Sequence, residues 1–233
     1  MNNKNYRYIK IAALAVIVLT VFYFAFLKGY LAEAHLRDLA EKYALTNPVV
    51  KELYLKARDK EAAYKKDGKL TVEEYLSIGF GWKSVADQTK DLAFYNKALA
   101  AYEGGIKTYK KTNSLFYMNA ANLYRELKNF EMAEKRYLQA LELTPGDHAL
   151  HLTLIDMYRH EMNKSVVEVK ARYELASKQV LNQFPIANSF AGYLRSIGEY
   201  ARALEFYKVL YESAPRPEFK QAIIELEAEL KKK

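Results

Sequence analysis

Cysteine is missing altogether from the 233 residues, and glycine and proline are scarce, at 9 and 5. The first absence excludes disulfides, thiolate metal sites and thiol nucleophiles. The second removes most of the residues that interrupt helices and form tight turns, so long helices packed on one another are favoured. A phosphate-cradling glycine loop and a Gly-x-Ser-x-Gly elbow are also wanting. Acidic residues are absent from the first 28 positions, which carry Lys4, Arg7, Lys10 and Lys28. Outside that segment 32 basic side chains face 28 acidic ones, and the formal net charge of +8 falls to +4. A nucleic-acid binder gathers its cations in a stripe interleaved with exposed aromatics. No such stripe is visible, and no nucleic-acid partner is expected.

What is present agrees with helices. Apolar residues make up 51% and charged ones 27%, which is a folded rather than a disordered composition. Tyrosine, at 20, is plentiful. Residues 11–27, IAALAVIVLTVFYFAFL, hold no charge and no polar face. Roughly 20 apolar residues span a hydrocarbon core. Lys10 and Lys28 can reach the two interfaces, with Tyr8 and Tyr30 at headgroup level. A cleavable signal is the competing reading, since Ala32-Glu33-Ala34 has the small-x-small form. Its apolar core would be longer than usual and separated from that site by a lysine. The anchor is therefore expected to stay. The first flank packs its basic residues more densely than the second (Lys28, Arg37, Lys42), which places the N-terminus in the cytoplasm and the rest outside.

Past the anchor the chain repeats itself. Residues 114–147 place Tyr117, Ala121 and Tyr124 at positions 4, 8 and 11, and Phe130, Ala133, Tyr137, Ala140 and Pro145 at 17, 20, 24, 27 and 32. Small residues at 8 and 20 let two antiparallel helices approach, aromatics fill the space around them, and proline ends the second helix. Over its 34 residues this segment resembles the tetratricopeptide repeat, departing at Ala120, where leucine is usual. The same frame fits 79–112 (Trp82, Val85, Ala86, Tyr95, Ala98, Tyr102), with Gly105 in place of alanine. It fits 184–215 as well (Phe190, Ala191, Leu194, Tyr200, Ala203, Tyr207, Pro215). Segment 148–183 is degenerate: Leu154, Ile155 and Tyr158 fit, but Val169, Tyr173 and Ala176 do so only after two inserted residues.

The resemblance implies an all-α chain in which one transmembrane helix precedes a solenoid of helical hairpins. The expected division is a basic segment 1–10, the spanning helix 11–30, a helical linker 31–78, four repeats over 79–215 and a capping helix over 216–233. In the linker, 31–45 and 48–66 read as a helical pair, with Asn47 before Pro48 as the start signal of the second. The last helix shows an apolar stripe of Phe219, Ala222, Ile223, Leu226 and Leu230 suited to closing a solenoid.

Two chemical motifs fail on their own terms. Asp67-Gly68-Lys69 with Glu74 imitates half of an EF-hand, but the first ligand positions would be Ala63 and Lys65. A turn followed by a Thr71–Glu74 capping box is the simpler reading. His148 and His151 could share a helix face as metal ligands, but His151 falls at position 4, the slot of Trp82 and Tyr117, where a packing role is expected. His35 and His160 lack a catalytic neighbour, and no carboxylate pair stands out. Neither an enzymatic activity nor a cofactor is expected.

One pattern points to binding. In this family the first helix of each repeat lines a concave groove, with position 12 facing inward. That position is basic throughout: Lys90, Arg125, Arg159 and Arg195. Position 9 is Asp87, Asn122, Asp156 and Gly192. The cations either complement their own helix C-termini or form a ladder for an acidic segment or a C-terminal carboxylate. The candidate partner-binding residues are Lys90, Asn122, Arg125, Asp156, Arg159 and Arg195. The expected function is a membrane-anchored, non-catalytic adaptor that binds a protein or peptide partner. A permanent subunit of an envelope complex is the alternative.

Overall fold

A computed structural model describes residues 3–66 and 68–232, without the side chains of residues 3–13 and 15. The expected cationic flank of Lys4, Arg7 and Lys10, with Tyr8, and Asp67 of the expected turn, lie outside that description. All regular structure among the described residues is helical: α1 (Asn3–Ala44), α2 (Val49–Lys65), α3 (Val72–Thr89), α4 (Leu92–Tyr109), a 3-10 turn at Lys110–Thr112, α5 (Ser114–Glu126), α6 (Phe130–Leu143), α7 (His148–His160), α8 (Val166–Gln179), α9 (Phe184–Ser196), α10 (Tyr200–Ser213) and α11 (Pro217–Lys231). The chain divides into two compact units, residues 1–101 and 102–233, with the boundary inside α4.

In the first unit α1 is one uninterrupted helix of 42 residues. The expected division between residues 30 and 31 is therefore no break: Gly29 alone costs about 1 kcal/mol in a helix, too little to end one this long. Among the described residues, α1 is the one helix long and apolar enough to cross a membrane. Its apolar side chains from Val16 to Phe26 stand exposed, Phe26 by 75%. Further on, Leu36 and Ala40 are buried, so the end of the same helix joins the core of the unit. Asn47 does not cap α2 as expected. Pro48 takes that place, and the Asn47 amide donates to Gln88 Oε1 at 3.2 Å.

The Thr71–Glu74 capping box forms as read: Glu74 N–H donates to Thr71 Oγ1 at 3.2 Å, and Thr71 N–H to Glu74 Oε2 at 2.7 Å. It sets the start of α3 at Val72, about two turns ahead of the expected repeat start at Gly79. α2 and α3 run antiparallel at close range, a Cβ on Gly81 lying only 3.4 Å from that of Ala57. Tyr54, Trp82 and Phe94, from α2, α3 and α4, form the aromatic centre, with Trp82 and Phe94 stacked at 6.3 Å.

In the second unit each helix packs on the next in chain order. Ala121 and Ala133, the small residues expected between α5 and α6, are fully buried, as are Tyr137 and Ala140 beside them. Leu150, Leu154 and Met157 of α7 continue that cluster. A second cluster joins Ile155, Tyr173, Ala176, Phe190 and Ala203 across α7–α10. Phe219, Ala222 and Leu226 of α11 are buried at its end. The two inserted residues of the degenerate segment also have a location. The α7–α8 connection runs over five residues, 161–165, whereas α5–α6 and α9–α10 use three, 127–129 and 197–199. Gly105, where alanine was expected, is required: a Cβ there would come within 2.4 Å of the buried Phe116 ring.

Candidate functional site

The candidate cations separate into paired and unpaired groups. Lys90 belongs to the first unit and stands just past the last turn of α3. It is the C-cap of α3, left-handed at φ 54° and exposed to solvent. The other three stand in the last turns of α5, α7 and α9. Each first helix of the second unit thus offers a guanidinium near its C-terminus, where the dipole favours it.

Arg125 is held on two sides by acids at the end of α7, two helices on. Its Nε donates to Glu161 Oε1 at 2.6 Å and its Nη2 to Asp156 Oδ2 at 2.6 Å, with a further Nη2 bond to Glu161. The bond to Glu161, opposed by burial and reinforced by Asp156, raises the pKa of Arg125 above its ordinary value. Asp156 is thereby a partner of the ladder rather than a free acceptor. Asn122 is engaged as well, its Oδ1 accepting from Tyr137 Oη at 2.5 Å. Arg195 meets Glu225 of α11 at 2.5 Å, and the Glu225 carboxyl is held below its usual range by Gln221 and then by Arg195.

Arg159 differs. The step that brings Arg125 to Asp156 would bring Arg159 to the equivalent position of α9, and that position is Gly192. No described carboxylate lies within ion-pair distance of Arg159. Its guanidinium instead rests over the Tyr193 ring, 4.9 Å from the centroid, and donates weakly to Tyr173 Oη at 3.4 Å. It is half-buried. Space is open at Gly192: a Cβ there would meet nothing nearer than Tyr207 Oη at 3.9 Å. Gly192 also borders a cleft of about 560 Å³ whose walls carry Arg195, Tyr200, Glu225 and Glu229. A stacked cation of this kind can accept a carboxylate without first breaking an ion pair.

His151, read as a packing residue, is fully buried, and both ring nitrogens are engaged. Nε2 lies 2.9 Å from Pro145 O and Nδ1 3.3 Å from Arg172 Nη2. The carbonyl can only accept and the guanidinium can only donate, so the ring is neutral with its proton on Nε2. Burial and then the Arg172 charge, against the pull of Pro145 O, lower its pKa. Arg172 escaped the sequence reading. It is 8% exposed, its Nε has no partner, and burial lowers its pKa. The signal that could have found it is its place next to Tyr173, a core position of the frame. Glu161 and Glu225 escaped too, because each lies about thirty residues or more from the arginine it holds.

No protein-family model matches the chain, and no curated protein matches it.

Proposed function

We propose that this chain is a membrane-anchored, non-catalytic adaptor of the tetratricopeptide type, which holds an acidic or carboxylate-terminated segment of a partner protein at Arg159. The observation that carries the reading is the Arg159 guanidinium, which has no ion-pair partner among the described residues, whereas Arg125 is held by two carboxylates and Arg195 by one. Three features support the repeat assignment. Alanines at positions 8 and 20 are buried, the extra residues of the irregular segment fall in a loop, and the second residue after α5 and after α9 is left-handed at the same frame position, Lys128 and Gly198. The exposed apolar length of α1 supports an anchor. The Lys97–Glu33 bond, at 2.6 Å, supports an uncleaved one, because Glu33 lies within the small-x-small tripeptide. The domain is placed outside the cytoplasmic membrane on the charge asymmetry of the flanks.

The test separates Arg159 from Arg125 in the full chain in nanodiscs, probed with an array of acidic and amidated peptides. Arg159→Gln should abolish retention of acidic peptides and leave the melting temperature unchanged. Arg125→Gln should lower stability by about 1 kcal/mol and keep retention. Retention by the Arg159 variant would discard the adaptor reading. The permanent-subunit reading draws on Phe80, 68% exposed beside an apolar groove of about 170 Å³ formed with Leu53, Ala57 and Gly81. Co-purification that survives Arg159→Gln but not Phe80→Ser would favour it.

A further inference from the structure

We infer that the α2–α3 loop, with its lysines Lys66 and Lys69, rests on the headgroup layer of the membrane that α1 crosses and binds anionic lipid there. The inference depends on α1 being a membrane anchor. It follows from the register of α1 against α2. Lys97 Nζ lies 2.6 Å from Glu33 Oε1 and 3.3 Å from Glu61 Oε2, so Glu33 of α1 and Glu61 of α2 stand at the same height. The two helices are antiparallel, joined by the turn at residues 45–48. Five residues back from Glu33 along α1 is Lys28, and five residues on from Glu61 along α2 is Lys66. Both paths cover roughly 7.5 Å at the helical rise. Helical geometry persists that far in α2, since Lys66 keeps φ −65° and ψ −33°.

Lys66 therefore returns to the level of Lys28, the first charge after the apolar run. That level is the boundary between hydrocarbon and headgroups. α3 descends to the same end, because Lys60 meets Ser77 at 3.0 Å and Gly81 meets Ala57. Lys65, Lys66, Gly68 and Lys69 are exposed, while Leu70 is buried and secures the loop to its unit. The loop sequence sets Lys66 and Lys69 against the single acid Asp67, while the charge of Lys65, the last residue of α2, is taken up by Glu61. Lysines on a surface-level loop are drawn to anionic phosphates within a Debye length. The contact gives the domain a second point of support beside the helix. Because α1 is continuous and docked through Leu36, Ala40 and Glu33, that support sets a fixed tilt.

The absence of cysteine makes any introduced thiol unique. The full chain would be placed in nanodiscs of phosphatidylcholine with or without phosphatidylglycerol and labelled in turn at Ala63→Cys, Leu45→Cys and Phe24→Cys with a fluorophore. Quenching by headgroup-labelled lipid should be at least about twofold stronger at residue 63 than at residue 45. The excess should grow with phosphatidylglycerol and fall with salt or with Lys66→Gln and Lys69→Gln combined. Equal quenching at 63 and 45, with residue 24 still quenched by acyl-labelled lipid, would overturn the inference and leave the anchor standing. An excess at 63 indifferent to lipid charge, salt and the double change would overturn the anionic-lipid contact. Absence of quenching at 24 would overturn the anchor and the loop contact together.

Discussion

In residues 1–101 the helices meet at a carboxylate, whereas in residues 102–233 they meet at alanines. Glu61 accepts from the Trp82 indole at 2.7 Å, from Lys65 at 2.6 Å and from Lys97 at 3.3 Å, and Lys97 carries the network on to Glu33 of α1. Burial would raise the Glu61 carboxyl, but the Lys65 and Lys97 ammonium groups outweigh it and hold it below its usual range. Four helices thus share one ionic centre. The second unit has no such centre at its α5–α6 pair: Ala121 and Ala133 are fully buried, with Tyr117 and Tyr137 around them. A charge network fixes one arrangement of the four helices. Small-residue packing lets helices approach closely and can recur from one pair to the next.

Glu61→Leu should have the largest effect, because it leaves the Trp82 N–H without its acceptor and Lys97, in a largely buried place, with Glu33 alone. Removing one member of such a network costs roughly 3 kcal/mol. Chemical denaturation of the full chain in micelles should read that loss, with amide exchange quickening over α1–α3. An unchanged midpoint would show that the ionic centre does not hold the first unit. Ala133→Leu comes next. It adds three carbons where no side chain has room to move, and overpacking costs about 1–3 kcal/mol. A melting temperature equal to that of the parent would contradict the close approach of α5 and α6.

The same contrast explains what the sequence could reveal. Alanine at positions 8 and 20 recurs because the packing recurs, so the core of the second unit was legible from spacing alone. The capping box at Thr71 was legible because its partners lie three residues apart. Glu61 was not, since nothing local distinguishes it from 27 other acids. The continuity of α1 was hidden for a related reason: whether a helix passes Gly29 depends on Leu36 and Ala40 finding a core beyond it. At the candidate site, position 12 was legible as basic. That Arg125 is consumed and Arg159 is left open depends on position 9 of the next repeat. The sequence already displayed that position, but only the pairing of α5 with α7 gave it meaning.

His151 sharpens the comparison through pH. Its pKa is lowered in the fold, so between that value and the ordinary one near 6.5 the unfolded chain holds more protons than the folded one. Stability then rises with pH through this window and is lost on acidification below about 6.5, at up to roughly 1.4 kcal/mol per pH unit. The ring faces Arg172 from α8 and Pro145 O and Asp147 from its own approach, and neither added proton nor charge is welcome beside that arginine. Melting curves from pH 7.5 to 5 should show the slope in the parent and a flatter one in His151→Gln. A slope that persists in the variant would assign the acid sensitivity to other groups.

The smallest expected effect is a gain. After α5 the chain turns through Lys128 at φ 57°, with Asn129 N–H on Tyr124 O at 2.8 Å and Lys128 N–H on Arg125 O at 2.9 Å. After α9 the same turn passes through Gly198 at φ 79°, with Glu199 N–H on Leu194 O at 2.9 Å and Gly198 N–H on Arg195 O at 3.2 Å. The hydrogen bonds match, so the two sites differ chiefly in the residue that bears the left-handed backbone. A lysine there costs about 1–2 kcal/mol in steric strain that glycine avoids, while glycine loses more freedom on folding. The balance favours Lys128→Gly by about 0.5–1 kcal/mol, and Gly198→Lys should lose a similar amount. The exposed Lys128 side chain makes no bond that would confuse the measurement. Opposite shifts of the denaturation midpoint in the two variants would establish that both repeats end their first helix by the same device. A loss at both sites would mean that Lys128 owes its backbone to something its repeat partner lacks.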